Sequence, residues 1–94
     1  MRAIWFDLKK KHPNRIVLVK DSSIGEWVTY GDDADILADG GFDGAGRLPN
    51  MDGIPAGSYI HVRSGYEDDA LLVAKEAGLG LLLAEGGSSD NEQE

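Results

Sequence analysis

Arg15-Ile-Val-Leu-Val-Lys20 is an unbroken aliphatic run, mostly β-branched, closed by a cation at each end. A strand turns successive side chains to opposite faces, so a run that is apolar at every position needs cover on both sides. That requirement places residues 15–20 inside a sheet, as a central strand, and excludes a sheet with one face open to water at this point.

The flanking sequence alternates helix and strand. Residues 2–12 read as a helix with Ile4, Trp5 and Leu8 on one face and Phe6 beside them, ended by Pro13. After a turn at residues 21–25, Glu26-Trp-Val-Thr-Tyr30 reads as the returning arm of a hairpin. Trp27 is out of phase with Val28 and Tyr30, so one large ring faces away from the core or the pair straddles a bulge. Asp32 is suited to cap a helix over 33–39 whose Ala34, Leu37 and Ala38 face the sheet, with Gly40-Gly41 as its stop. Residues 40–57 are glycine-rich and carry two prolines. A structureless loop of that length is unusual in a compact domain, so a short extended piece is expected around 47–51. Residues 58–63 read as a strand with Tyr59, His61 and Arg63 on one face and Ile60 and Val62 on the other. Ser64 and Glu67 then suit a capping box, Glu67, Asp68 and Asp69 fill the first turn, Ala70, Val73, Ala74 and Ala77 recur on one face, and Gly78 closes the helix. Residues 79–84 read as a buried strand, and the strand-helix-strand unit as a right-handed parallel crossover. The expected fold is α/β: a small mixed sheet of about five strands packed with three helices. It occupies a single domain over 1–85, and 86–94 is expected to be a disordered acidic tail.

Composition narrows the function. Ninety-four residues suit one modest core, and the absence of cysteine excludes a disulfide scaffold, a cysteine-based zinc finger and a thiol nucleophile. The large apolar run Ile4-Trp-Phe6 meets Asp7 after three residues, too short for a signal peptide or a membrane span, and a cytoplasmic protein is expected. The formal net charge of -8 argues against an autonomous DNA binder, because phosphate contacts need converging Lys and Arg. One basic cluster exists: Lys9, Lys10, Lys11 and Arg15, with His12, followed by Lys20. Its plain reading is a solvated helix end that complements the helix dipole.

Other chemistry finds little footing. Asp32, Asp33, Asp35, Asp39 and Asp43 lack the alternate spacing and closing Glu of a calcium loop. Gly41, Gly44 and Gly46 lie in no strand-turn-helix setting for a dinucleotide. His12 and His61 have no metal-ligand spacing, and Ser22, Ser23, Ser58 and Ser64 sit in no nucleophile elbow. No catalytic residue, cofactor or metal is expected.

Three stretches stand in an order that resembles the N-terminal mismatch-recognition domain of the DNA repair protein MutS. They are Leu8-Lys-Lys-Lys-His12-Pro13, Pro49-Asn-Met51-Asp-Gly53-Ile54-Pro55 and Gly78-Leu-Gly-Leu81-Leu-Leu-Ala84-Glu85. The second is similar to the family's Pro-Met-Ala-Gly-Ile-Pro with one extra residue, and the excess over the family pattern beyond it falls on 58–65. The resemblance implies a MutS N-terminal-domain-like fold and a domain that reads DNA without chemistry, through an aromatic wedge followed two positions later by Glu. Counting forward from Pro13 places Ile24 at the wedge, Gly25 at the middle position and Glu26 at the Glu. Counting back from Asp32-Asp33-Ala34 gives a register differing by two residues, so the two agree only if the hairpin has grown by two. Ile24 can intrude between base steps but cannot stack, an interaction worth about 1–3 kcal/mol per base. The competing reading is a plain turn in which Gly25 permits positive φ and Ile24 caps the core.

The expectation is therefore a non-enzymatic binding module that acts with a protein partner in DNA metabolism or on mobile elements. The alternative is a small acidic phage-type protein that occupies a nucleic-acid-binding surface. Candidate contacts are Ile24, Gly25 and Glu26 with Lys9, Lys10, Arg15 and Lys20.

Overall fold

The computed structural model describes residues 1–85; the tail expected over 86–94 lies outside them. The elements run α1 (Arg2–Lys11), β1 (Arg15–Asp21), β2 (Glu26–Tyr30), α2 (Gly31–Asp39), β3 (Gly46–Leu48), β4 (Gly57–Arg63), α3 (Glu67–Glu76) and β5 (Gly80–Glu85). The five strands form one sheet in the order β3-β4-β2-β1-β5. β1 and β5 are parallel, with Ile16 opposite Leu81 and Leu18 opposite Leu83. The β1–β2, β2–β4 and β3–β4 pairs are antiparallel. It follows that β4 and β5 run parallel with two strands between them, joined by a crossover through α3.

Three layers result. On one face Ile16, Leu18, Trp27, Ile60 and Val62 meet Ala34 and Leu37 of α2 and Ala70 and Ala74 of α3. On the other, Val17, Val19, Val28, Tyr30 and Leu82 meet Trp5 of α1. Ile16, Val17, Leu18 and Val19 are fully buried, as the aliphatic run demands. Each such side chain contributes roughly 1.5–3 kcal/mol of burial free energy. The phase of Trp27 has a simpler cause than a bulge or an outward ring. Both faces are core, so Trp27 packs with α2 and α3 while Val28 and Tyr30 pack with α1.

Several local expectations are corrected. Ile4 is 38% exposed, because α1 is oriented around Trp5. Asp32 does not cap α2: the helix begins at Gly31, with Tyr30 at the cap position and no side-chain bond. The chain turns at Gly31, φ 60°, where a Cβ would stand 3.0 Å from Trp5 Cη2. Turning that early puts Asp32 and Asp33 inside the first turn and frees Asp33 for another task. The Ser64–Glu67 capping box is also absent. Ser64 Oγ donates to Gly25 O instead (2.8 Å), and Glu67 accepts from Gly65 N (2.8 Å) and Trp27 Nε1 (2.8 Å). β5 is an edge strand rather than a fully buried one, and its Leu83 is 42% exposed.

Candidate binding surfaces

The basic residues singled out by the sequence divide into two groups at opposite ends of β1. At its start, the β1–β2 ladder ends at the pair Val19–Val28, and the amide of Val17 needs another acceptor. Asp33 supplies it. Its Oδ2 accepts from Val17 N (3.1 Å) and Trp5 Nε1 (3.3 Å), and its Oδ1 from Lys9 Nζ (3.0 Å). Lys9 Nζ also donates to Arg15 O at 2.6 Å and Pro13 O at 3.4 Å. Lys9 is thus engaged within the protein. Burial pushes the Asp33 carboxyl above its usual range, against the hydrogen bonds from Val17, Lys9 and Trp5 that pull it down. Lys10 and Arg15 stay at the surface. Lys10 Nζ lies 3.8 Å from Asp7 and 4.8 Å from the Phe6 ring centre, and the Arg15 stem covers Gly80.

Lys20 is at the other end, five residues further along β1, which at ~3.3 Å per residue is roughly 17 Å away. Its ammonium lies 4.8 Å from the Trp27 ring centre and donates to Ser64 Oγ at 3.1 Å. Here the hairpin turns. Asp21 Oδ1 accepts from Ser23 N (3.1 Å) and Ser23 Oγ (2.6 Å), and Asp21 O from Ile24 N (3.2 Å) and Gly25 N (2.8 Å). Those serine donors hold the Asp21 carboxyl below its usual range. Gly25 has φ 71°, the conformation the turn reading requires. Ile24 is 53% exposed, so it stands at the tip rather than capping the core. Glu26 lies 4.0 Å from Arg63 across the β2–β4 pair. The Trp27 indole holds the Glu67 carboxyl below its usual range, aided by the amide of Gly65.

A third surface lies apart from Ile24, Glu26 and the basic residues of α1 and β1. A groove of about 690 Å³ opens where the chain between α2 and β3 parts from β4. It is lined by Phe42 and Asp43 after α2, by His61 and Arg63 of β4, and by Tyr66, Asp69, Leu72 and Glu76 at α3. Tyr66 is 50% and Leu72 60% exposed. The signal was present in the sequence: Leu72 falls off the Ala70, Val73, Ala74 stripe that packs α3, leaving a large aliphatic side chain on its outer face. A smaller groove, about 230 Å³, lies beside Trp5 and Tyr30 under the loop 54–57. Arg2 straps that region by donating to Pro49 O and Pro55 O, both at 2.8 Å.

Ser58 donates to Asp35 Oδ1 at 2.5 Å, and no hydrogen bond among the described residues joins a serine to a histidine. Among the described residues, no group of three or more His, Cys, Asp or Glu side chains is placed to hold a metal ion. No helix among them is long and apolar enough to cross a membrane. Compared with family models, curated proteins and solved structures, the chain matches none.

Proposed function

We propose that this chain is a non-enzymatic binding module of the kind its resemblance to the MutS mismatch-reading domain implies, working through a protein partner in DNA metabolism or on mobile elements. The separation of the basic residues supports a protein partner over direct grip on a duplex. A wedge that enters DNA needs cations converging beside it to hold the phosphates. Beside Ile24 stands Lys20, already engaged with Trp27 and Ser64, while Lys9 serves Asp33 at the far end of β1. Glu26 faces Arg63 rather than a free base edge.

A second reading, a small acidic protein that occupies the nucleic-acid-binding surface of another protein, is favoured by the net charge of -8. The two are separated by a mobility assay at low salt with matched and mismatched duplexes, alone and with a purified DNA-binding partner. The module reading expects no retention by the chain alone and a ternary complex with the partner. Displacement of DNA from the partner supports the acidic competitor instead. Mismatch-dependent retention by the chain alone, lost in Ile24→Ala, refutes the requirement for a partner.

A further inference from the structure

We propose that the groove beside β4 takes an extended, basic segment of a partner protein as an added strand. The inference rests on the binding-module reading and names the surface that carries it. β3 pairs with β4 at Gly57, Ser58 and Tyr59 and no further. From 60 to 63, β4 has β2 on one side and the groove on the other. A strand edge offers alternate N–H and C=O groups to any chain that can lie alongside, and this is how peptide-binding sheets add a strand. The turn into α3, where Tyr66 N donates to Arg63 O at 3.1 Å, closes the far end. β5 presents a second edge, but neither groove reaches it.

The walls define the occupant. Tyr66 and Leu72 are large and exposed and line the groove together with Phe42, so an apolar side chain of the visiting strand has a seat among them. Asp43, Asp69 and Glu76 line the same groove, where Arg63 is the one Lys or Arg among the described lining residues and itself faces Glu26. Lys or Arg flanking the apolar anchor complements this rim, whereas phosphate is repelled by it. A second copy meeting the first groove to groove would bring the same acids against their own kind.

The test uses the full 94-residue chain, isotope-labelled, titrated with a blocked nonapeptide that alternates lysine with leucine or valine. Amide shift changes are expected at 60–63, Tyr66 and Leu72. Affinity should fall roughly tenfold or more when alternate peptide nitrogens are methylated, and as far again in Asp69→Lys/Glu76→Lys. Leu72→Ser should weaken binding while the amide spectrum away from α3 stays unchanged, which separates lost contact from lost fold. Equal binding of the glutamate-for-lysine peptide, shifts centred on Ile24 or α1, or no shifts at millimolar peptide would overturn the proposal. Should a protein partner protect Ile24 and leave the groove open to exchange, the groove inference fails and the module reading stands. Mismatch-dependent DNA retention by the chain alone defeats the requirement for a partner, and with it the occupant proposed for the groove, whatever the peptide does.

Discussion

Replacing Asp33 with alanine strips the acceptor from three donors at once, and its cost can be worked group by group. The Val17 amide sits on a fully buried residue and the Trp5 indole on one that is 8% exposed, so neither gains water in exchange. An unsatisfied buried donor costs about 1–3 kcal/mol. Lys9 loses less, because its side chain is 20% exposed and it retains Arg15 O and Pro13 O. The sum is on the order of 3–5 kcal/mol, the range for removing one partner of a buried ion pair. That is a large part of the ~5–15 kcal/mol that holds a domain folded. With a urea slope of about 2 kcal/mol per molar, the midpoint should drop by about 2 M. Asp33→Asn keeps one oxygen for Val17 and Trp5 but turns an amide toward Lys9, so it should cost about half as much. Adding Lys9→Met to that variant should then be nearly free, giving a double-mutant coupling of about 1–3 kcal/mol. Urea denaturation of the parent chain, Asp33→Ala, Asp33→Asn, Lys9→Met and the double variant, with hydrogen exchange at the Val17 amide, measures all of this. A loss under about 1 kcal/mol in Asp33→Ala, with Val17 exchange unchanged, would refute the role assigned to the carboxylate.

Gly40 has φ -84°, open to any residue, yet a Cβ there would stand 2.6 Å from Val73 Cγ1. Gly40→Ala should therefore cost about 1–3 kcal/mol, and Val73→Ala in the same chain should recover part of it, read by thermal unfolding. Thr29 Oγ1, in the central strand β2, is buried without a hydrogen-bond partner among the described residues. Thr29→Val removes an unpaired polar atom at nearly constant shape and should leave stability unchanged or raise it by about 1 kcal/mol, measured by urea midpoint. Opposed components shape the pH profile, with Asp21 adding to the acid-side loss that Glu67 carries. The Asp33 pKa is raised by burial from 3.8, so the folded state binds the proton more tightly and this component of stability falls as pH rises from about 3.8 through the raised value. Glu67 is lowered from 4.5 by the Trp27 indole, so its component is present above 4.5 and is lost as pH falls through the lowered value. Glu67→Gln should flatten the acid limb of a stability–pH curve, and Asp33→Asn should remove the fall on the rising side.

The elements most legible in the sequence were those whose pattern admits one physical solution. Residues 15–20 require cover on both faces, and the sheet places β1 between β2 and β5 with a helical layer on each side. Gly41 was readable as the stop of α2, and it takes φ 110° while Phe42 N reaches back to Leu37 O. Capping was less legible, because a side chain near a helix start has competitors for its hydrogen bonds that only the fold reveals. Asp33 is drawn to an amide sixteen residues earlier in the chain, and Ser64 to a carbonyl thirty-nine residues earlier. The same limit governs the candidate site. Lys9, Lys10, Arg15 and Lys20 are close in sequence, but a strand runs between them and delivers them to opposite ends of the sheet. The hairpin end bearing Ile24 is instead tied to β4 and α3, through Ser64 on Gly25 and Glu67 on Trp27. A partner engaging the β4 edge would therefore press on the elements that brace the hairpin, whereas one gripping Lys9 would meet a side chain already committed to the core.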